Sequence, residues 1–166
     1  MRLLLAASLV TCTLLTTFGC GVPKVYQSKL DPLALQQMQT QEFETSKKIL
    51  FASVVSVFQD TGFTIETADF ESGIVTAKSA TTSAMDFFGT TNGVAMKASA
   101  FVEDTRAAHS KARLNFIETT DSRARYGGGG TSDIPIEAPA YYEKVFNKIR
   151  EGVFMREANK ATPAAK

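Results

Sequence analysis

Residues 94–102, VAMKASAFV, alternate so that Val94, Met96, Ala98, Ala100 and Val102 share one face of an extended strand. Successive side chains of a strand point to opposite faces, and alternation of this kind predicts a strand buried on one side only. A turn near Asp104-Thr105-Arg106 leads into 110–119, where Ala112, Leu114 and Phe116 share a face with charged neighbours opposite. Two such strands form an antiparallel pair with one apolar face, and that face needs a cover.

Two segments can supply it. Residues 46–62, SKKILFASVVSVFQDTG, carry Ile49, Leu50, Ala52, Val54, Val55, Val57 and Phe58 as a broad apolar face, with Ser46 placed to cap the start and Gly62 to end the helix. Residues 139–157 carry Tyr141, Tyr142, Val145, Phe146, Ile149 and Val153 as a helical stripe, and Pro139 suits a first turn. Between them, Thr64–Phe70 and Gly73–Ser79 predict a hairpin joined through Glu71-Ser72-Gly73. Phe63, Ile65 and Thr67 are expected to face one way, as are Val75 and Ala77. A further strand is expected at 37–44. The glycine-rich RYGGGGTSDIP reads as a flexible connection. The expected fold class is α+β: an antiparallel sheet of about four to five strands with two helices packed on one face, in the order strand, helix, four strands, helix.

The chain has 166 residues with 18 Lys+Arg against 17 Asp+Glu. Segment 1–19 has Arg2 as its one charged side chain, and removing it leaves 17 basic against 17 acidic residues. A chain without net charge or a basic run has no electrostatic footprint for nucleic acid. With 44% hydrophobic residues and 12 Phe, it has material for a core, so neither disulfides nor metal are needed to fold it.

The first twenty residues have a different layout. Met1-Arg2 is a short positive start, Leu3 to Leu15 is a mostly apolar run, and small residues lead to Gly19-Cys20. A run of about 13 residues is short for a spanning helix, which needs about 20, and has the form of an export signal. The end of this segment, LLTTFGC, resembles the lipobox of bacterial lipoproteins, with Gly19 as the small residue before the modified cysteine and Thr17 where leucine is usual. The rival, Cys12, follows Thr11 and leaves an apolar run of only about eight residues. The resemblance implies cleavage before Cys20, a diacylglyceryl thioether on its sulfur and an amide-linked acyl group on its nitrogen. One chain binds membranes only marginally, whereas several together hold essentially permanently. Under this reading Cys12 leaves with the signal and no free thiol remains. Gly21, rather than Asp, after the cysteine implies an outer-membrane lipoprotein facing the periplasm in a Gram-negative cell. The organisation expected is a lipoprotein signal peptide over 1–19, a tether over 20–36 with a possible short helix at Leu30–Met38, an α+β domain over 37–157 and a flexible tail over 158–166.

Within the mature part, QEFET, VVSVFQDTGFTIETADFESGIVTAKS and YYEKVFNKIREGVF resemble small bacterial envelope lipoproteins without an assigned activity. In layout alone they are also similar to domains of BamC-type lipoproteins. The resemblance implies no catalytic residues.

Chemistry-bearing residues are few. The single histidine, His109, adjoins Ser110, but neighbours on a strand point to opposite faces and so do not form a catalytic pair. One histidine and no retained cysteine disfavour zinc. Gly127–Gly130 is followed by Thr131-Ser132-Asp133 rather than the Gly-Lys-Ser/Thr of a phosphate loop. Asp69 with Glu71, and Glu103 with Asp104, are acid pairs beside turns. Met85, Phe87 and Phe88, in TTSAMDFFGTTNG, are apolar residues in a polar connection and are the candidate contact with a partner protein. Tyr141-Tyr142 places one tyrosine toward the core. The expectation is a non-enzymatic, lipid-anchored envelope protein, acting at the membrane surface as a binding or assembly module. It would use no cofactor or metal and would meet an envelope protein partner. Two alternatives predict different things. A small-ligand carrier or hydrolase requires a pocket between sheet and helices. A purely structural lipoprotein would tolerate loss of its folded domain.

Overall fold

The computed structural model describes residues 26, 28–85, 90–123 and 127–161. Chain order is α1 (Pro32–Gln39), β1 (Thr40–Phe43), α2 (Lys47–Asp60), β2 (Phe63–Asp69), β3 (Ile74–Ser79), β4 (Thr82–Met85), β5 (Thr91–Arg106), β6 (His109–Arg123), β7 (Gly129–Pro135) and α3 (Pro139–Ala161). All pairings are antiparallel, in the order β1-β6-β5-β3-β2, with β4 beside β5 and β7 beside β6. The class is the expected α+β, but the described sheet has seven strands and the described helices number three. The extra strands lie where the sequence is rich in Ser, Thr and Gly. β7 is GGTSDIP, the larger part of the RYGGGGTSDIP expected as a flexible connection, and β4 falls in the connection before β5. Neither has an apolar alternation to betray it. Each is held by backbone bonding to a long neighbour that runs past the core.

The core explains the rest. On one sheet face the register sets large side chains opposite small ones: Ala98 opposite Phe116, Ala100 opposite Leu114 and Val102 opposite Ala112. This floor, with Val75, Ala77 and Phe43, receives Leu50, Phe51, Val54, Val57 and Phe58 of α2 and Tyr142, Val145, Phe146 and Ile149 of α3. Phe116 is fully buried at the centre, with the rings of Phe58, Phe63, Tyr141 and Tyr142 centred 5.0–6.3 Å away. Both tyrosines therefore pack inward. Five buried polar side chains have partners: Ser53 donates to the Ile49 carbonyl, Ser110 to the Thr45 carbonyl, Thr119 to Asp133 and Thr45 to Glu157, while Gln39 bonds Asn115 and Arg113. The buried hydroxyls of Thr40 and Tyr142 have none among the described residues.

Three local expectations change. Ser46 occupies the N-cap of α2, but its side chain makes no capping bond. Asp104, reaching across from β5, accepts the Lys47 N–H at 3.3 Å instead. Thr67 does not share a face with Phe63 and Ile65, because a register shift between Ile65 and Thr67 turns it to the outer side opposite Thr76. Val94 has the parity of Ala98 but stays exposed, since β5 continues past the packed core, whose last member there is partly buried Met96. No described helix is long and apolar enough to cross a membrane.

Candidate functional site

The anchor candidate Cys20 and the contact candidates Phe87 and Phe88 lie outside the described residues. Met85 ends β4 as the register partner of Thr91. Thr91 in turn pairs with Arg123, and Arg123 with Gly129. Four strand ends are therefore side by side at the place where the chain segments 86–89 and 124–126 depart.

The other sequence candidates have structural partners. Ser110 spends its hydroxyl on the Thr45 carbonyl at 2.9 Å, and the register pairs His109 with Arg106. Asp69 accepts the Ser72 hydroxyl at 2.6 Å and the Glu71 N–H at 3.1 Å, closing the β2–β3 turn. The Ser72 hydroxyl and the Glu71 amide hold the Asp69 carboxyl below its usual range. Glu103 pairs with Lys111 at 2.7 Å. Gly129 and Gly130 belong to β7. Among the described residues no group of His, Cys, Asp and Glu is arranged to hold a metal.

The space between sheet and helices is occupied by the core side chains of α2, α3 and the sheet. A groove of about 600 Å³ opens on the opposite, outer face of the sheet. Its floor follows from strand register: Ile74 pairs with Phe101, Phe101 with Arg113 and Arg113 with Thr40, while the next row is Thr76, Ser99 and Asn115. Ile74 and Phe101 are 43% and 42% exposed, an apolar pair open to solvent. Leu35 and Gln39 of α1 form one wall, and Pro135, Glu137, Tyr26 and Ser28 line the rest. Arg113 donates to Gln39 Oε1 at 3.2 Å, which points its guanidinium toward the α1 wall. Toward the far end of this face Lys97 pairs with Asp133 at 3.6 Å.

Glu137 gathers the segment before α1. The Lys29 N–H donates to its Oε2 at 3.1 Å, and Asp31 then caps α1 by accepting the Leu33 N–H at 3.0 Å. The Ser28 hydroxyl, the Lys29 amide and the Tyr26 hydroxyl together hold the Glu137 carboxyl below its usual range. Its Oε1 is shut off from solvent and has no hydrogen-bond partner among the described residues.

This arrangement can hold an apolar group against Ile74 and Phe101 while Arg113 meets an anion. The two amides of the floor and wall, Gln39 and Asn115, are bonded to each other at 3.4 Å. None of these residues stands in a motif. The available signal was the second face of the alternating strands, where Ile74 and Phe101 interrupt polar positions. The contribution of Glu137 depends on a contact across 108 positions of sequence.

Fold and surface together define an α+β domain with α2 and α3 on one sheet face and, on the other, an open groove that sets the apolar Ile74 and Phe101 beside Arg113 and Glu137. Compared with known proteins, the chain matches no family model and no curated sequence.

Proposed function

We propose that the protein is a lipid-anchored component of the bacterial cell envelope whose α+β domain acts as a non-catalytic binding or assembly module. The observation carrying this reading is the N-terminal layout: Arg2, the apolar run Leu3 to Leu15, and Gly19-Cys20. Acyl groups on Cys20 confine the domain to the membrane surface, facing the periplasm from the outer membrane in a Gram-negative cell. The reading calls for no cofactor, metal or nucleic acid. Contact with another envelope protein is assigned to Met85, Phe87 and Phe88 at the departing end of the β4–β5 hairpin. Apolar side chains carried on an otherwise polar connection suit docking to a partner.

Cys20→Ala in the full chain tests the anchor. Acyl labelling should disappear and the protein should leave the membrane fraction; labelling that persists overturns the assignment to Cys20. Crosslinking from membranes, comparing the parent chain with Phe87→Ser/Phe88→Ser, tests the contact. Loss of a crosslinked partner supports it, and an unchanged set of partners refutes it.

A further inference from the structure

The outer sheet face lies close to where the anchor enters the domain. Glu137 fixes the segment at Lys29, and Tyr26 sits at the rim of the groove, so few residues of sequence separate that rim from Cys20. Cys20 and Tyr26 are six positions apart, and six residues at full extension reach at most about 20 Å. A sheet with a helix layer is itself about 20 Å thick. A bilayer on the helix side would require this connection to run around the whole domain with nothing to spare, whereas a bilayer on the outer face needs only part of it.

The chemistry of that face agrees. Arg113 makes no ion pair with an acid among the described residues and pairs in register with the exposed Phe101, which lies opposite Ile74; Lys78, likewise without an acid partner, stands four positions along β3 opposite Lys97. The carboxylates on this face, Asp69 opposite Ile74 and Glu137 in the groove lining, are bonded within the domain by Ser72, Glu71 and Lys29. Cations beside aromatic and aliphatic side chains suit phosphate headgroups and the interfacial zone beneath them. We propose that the outer face of the sheet docks on the phospholipid surface, with Phe101 and Ile74 at the interface and Arg113 and Lys78 on lipid phosphates, leaving α2 and α3 turned toward the periplasm. The inference rests on the anchoring of Cys20.

Two single thiols test it. Thr67→Cys places a fluorophore on the outer face, and Lys144→Cys places one on the exposed side of α3. Each protein is purified from membranes of the producing cell and reconstituted in vesicles of phosphatidylethanolamine and phosphatidylglycerol carrying a headgroup nitroxide lipid. The probe at 67 should lose most of its fluorescence and the probe at 144 should keep most of it. Equal or reversed quenching in an acylated protein overturns this inference alone. A protein whose mass carries no acyl groups overturns it together with the anchoring that it rests on. Phe101→Ser/Arg113→Ser should narrow the difference between the probes. An undiminished difference refutes headgroup contact by these residues.

Discussion

Gly73 closes the β2–β3 turn under a double constraint. Its φ of 76° lies in the left-handed region, and a Cβ built there would sit 2.0 Å from the Val102 carbonyl oxygen, a backbone atom of the central strand. The same glycine's carbonyl accepts the Val102 N–H at 2.8 Å, so the two backbones cannot part without losing that bond. Gly62, which ends α2, has a similar φ of 88° but open space around its missing side chain. Gly62→Ala therefore isolates the conformational cost. That cost is about 1–2 kcal/mol, reduced by about 0.4–1 kcal/mol through the stiffer unfolded chain. Gly73→Ala adds the clash and the strained β3–β5 contact, which brings it to about 3 kcal/mol or more, in the range reserved for backbone strain and overpacking. Urea unfolding of both variants beside the parent chain measures the gap. If Gly73→Ala lies within about 0.5 kcal/mol of Gly62→Ala, the close approach of β3 to β5 at Val102 is wrong.

Phe116→Ala, at the centre of five packed rings, should cost about 3–5 kcal/mol in the same unfolding assay. A cost under about 1 kcal/mol would mean that Phe116 is not fully buried. Asp104→Ala removes the carboxylate that accepts the first amide of α2 and should destabilise by about 1 kcal/mol, with Asp104→Asn recovering part of it. Equal losses from both variants would show that the capping bond is not what stabilises. The carboxyls of Asp69, Asp133 and Glu137 are all held below their usual range, Asp133 chiefly by the Thr119 hydroxyl and then by Lys97. Depressed folded values mean that their stabilising contribution is complete above the ordinary carboxylate range near about pH 4 and is lost as pH falls through the folded values. Thermal melts on acidification should therefore show falling midpoints in that window, and midpoints that rise there would contradict the assignment.

The legible part of the fold is the part that buries apolar surface. Alternation in 94–102 and 110–119, and the stripes of α2 and α3, each show a packed face directly in sequence, and these faces meet around Phe116. β4 and β7 were not legible, because Ser, Thr and Gly carry no period and their pairing is imposed by the lengths of β5 and β6. The capping of α2 is hidden from the sequence for a related reason. Ser46 is the local candidate, but the acceptor comes from Asp104, brought near only by the sheet. The groove shows the same limit. Ile74 and Phe101 look like lapses in a polar face until register sets them side by side, and Glu137 acquires its partners only when the segment before α1 folds back over it.

The central claim is that Cys20 is the residue by which this domain is held at the membrane. The mass of the N-terminal peptide, taken from protein isolated from membranes of the producing cell, tests it most directly. The predicted result is a chain that begins at Cys20 and carries both a diacylglyceryl and an amide-linked acyl group. An intact Met1, a start elsewhere, or an unmodified Cys20 would contradict it.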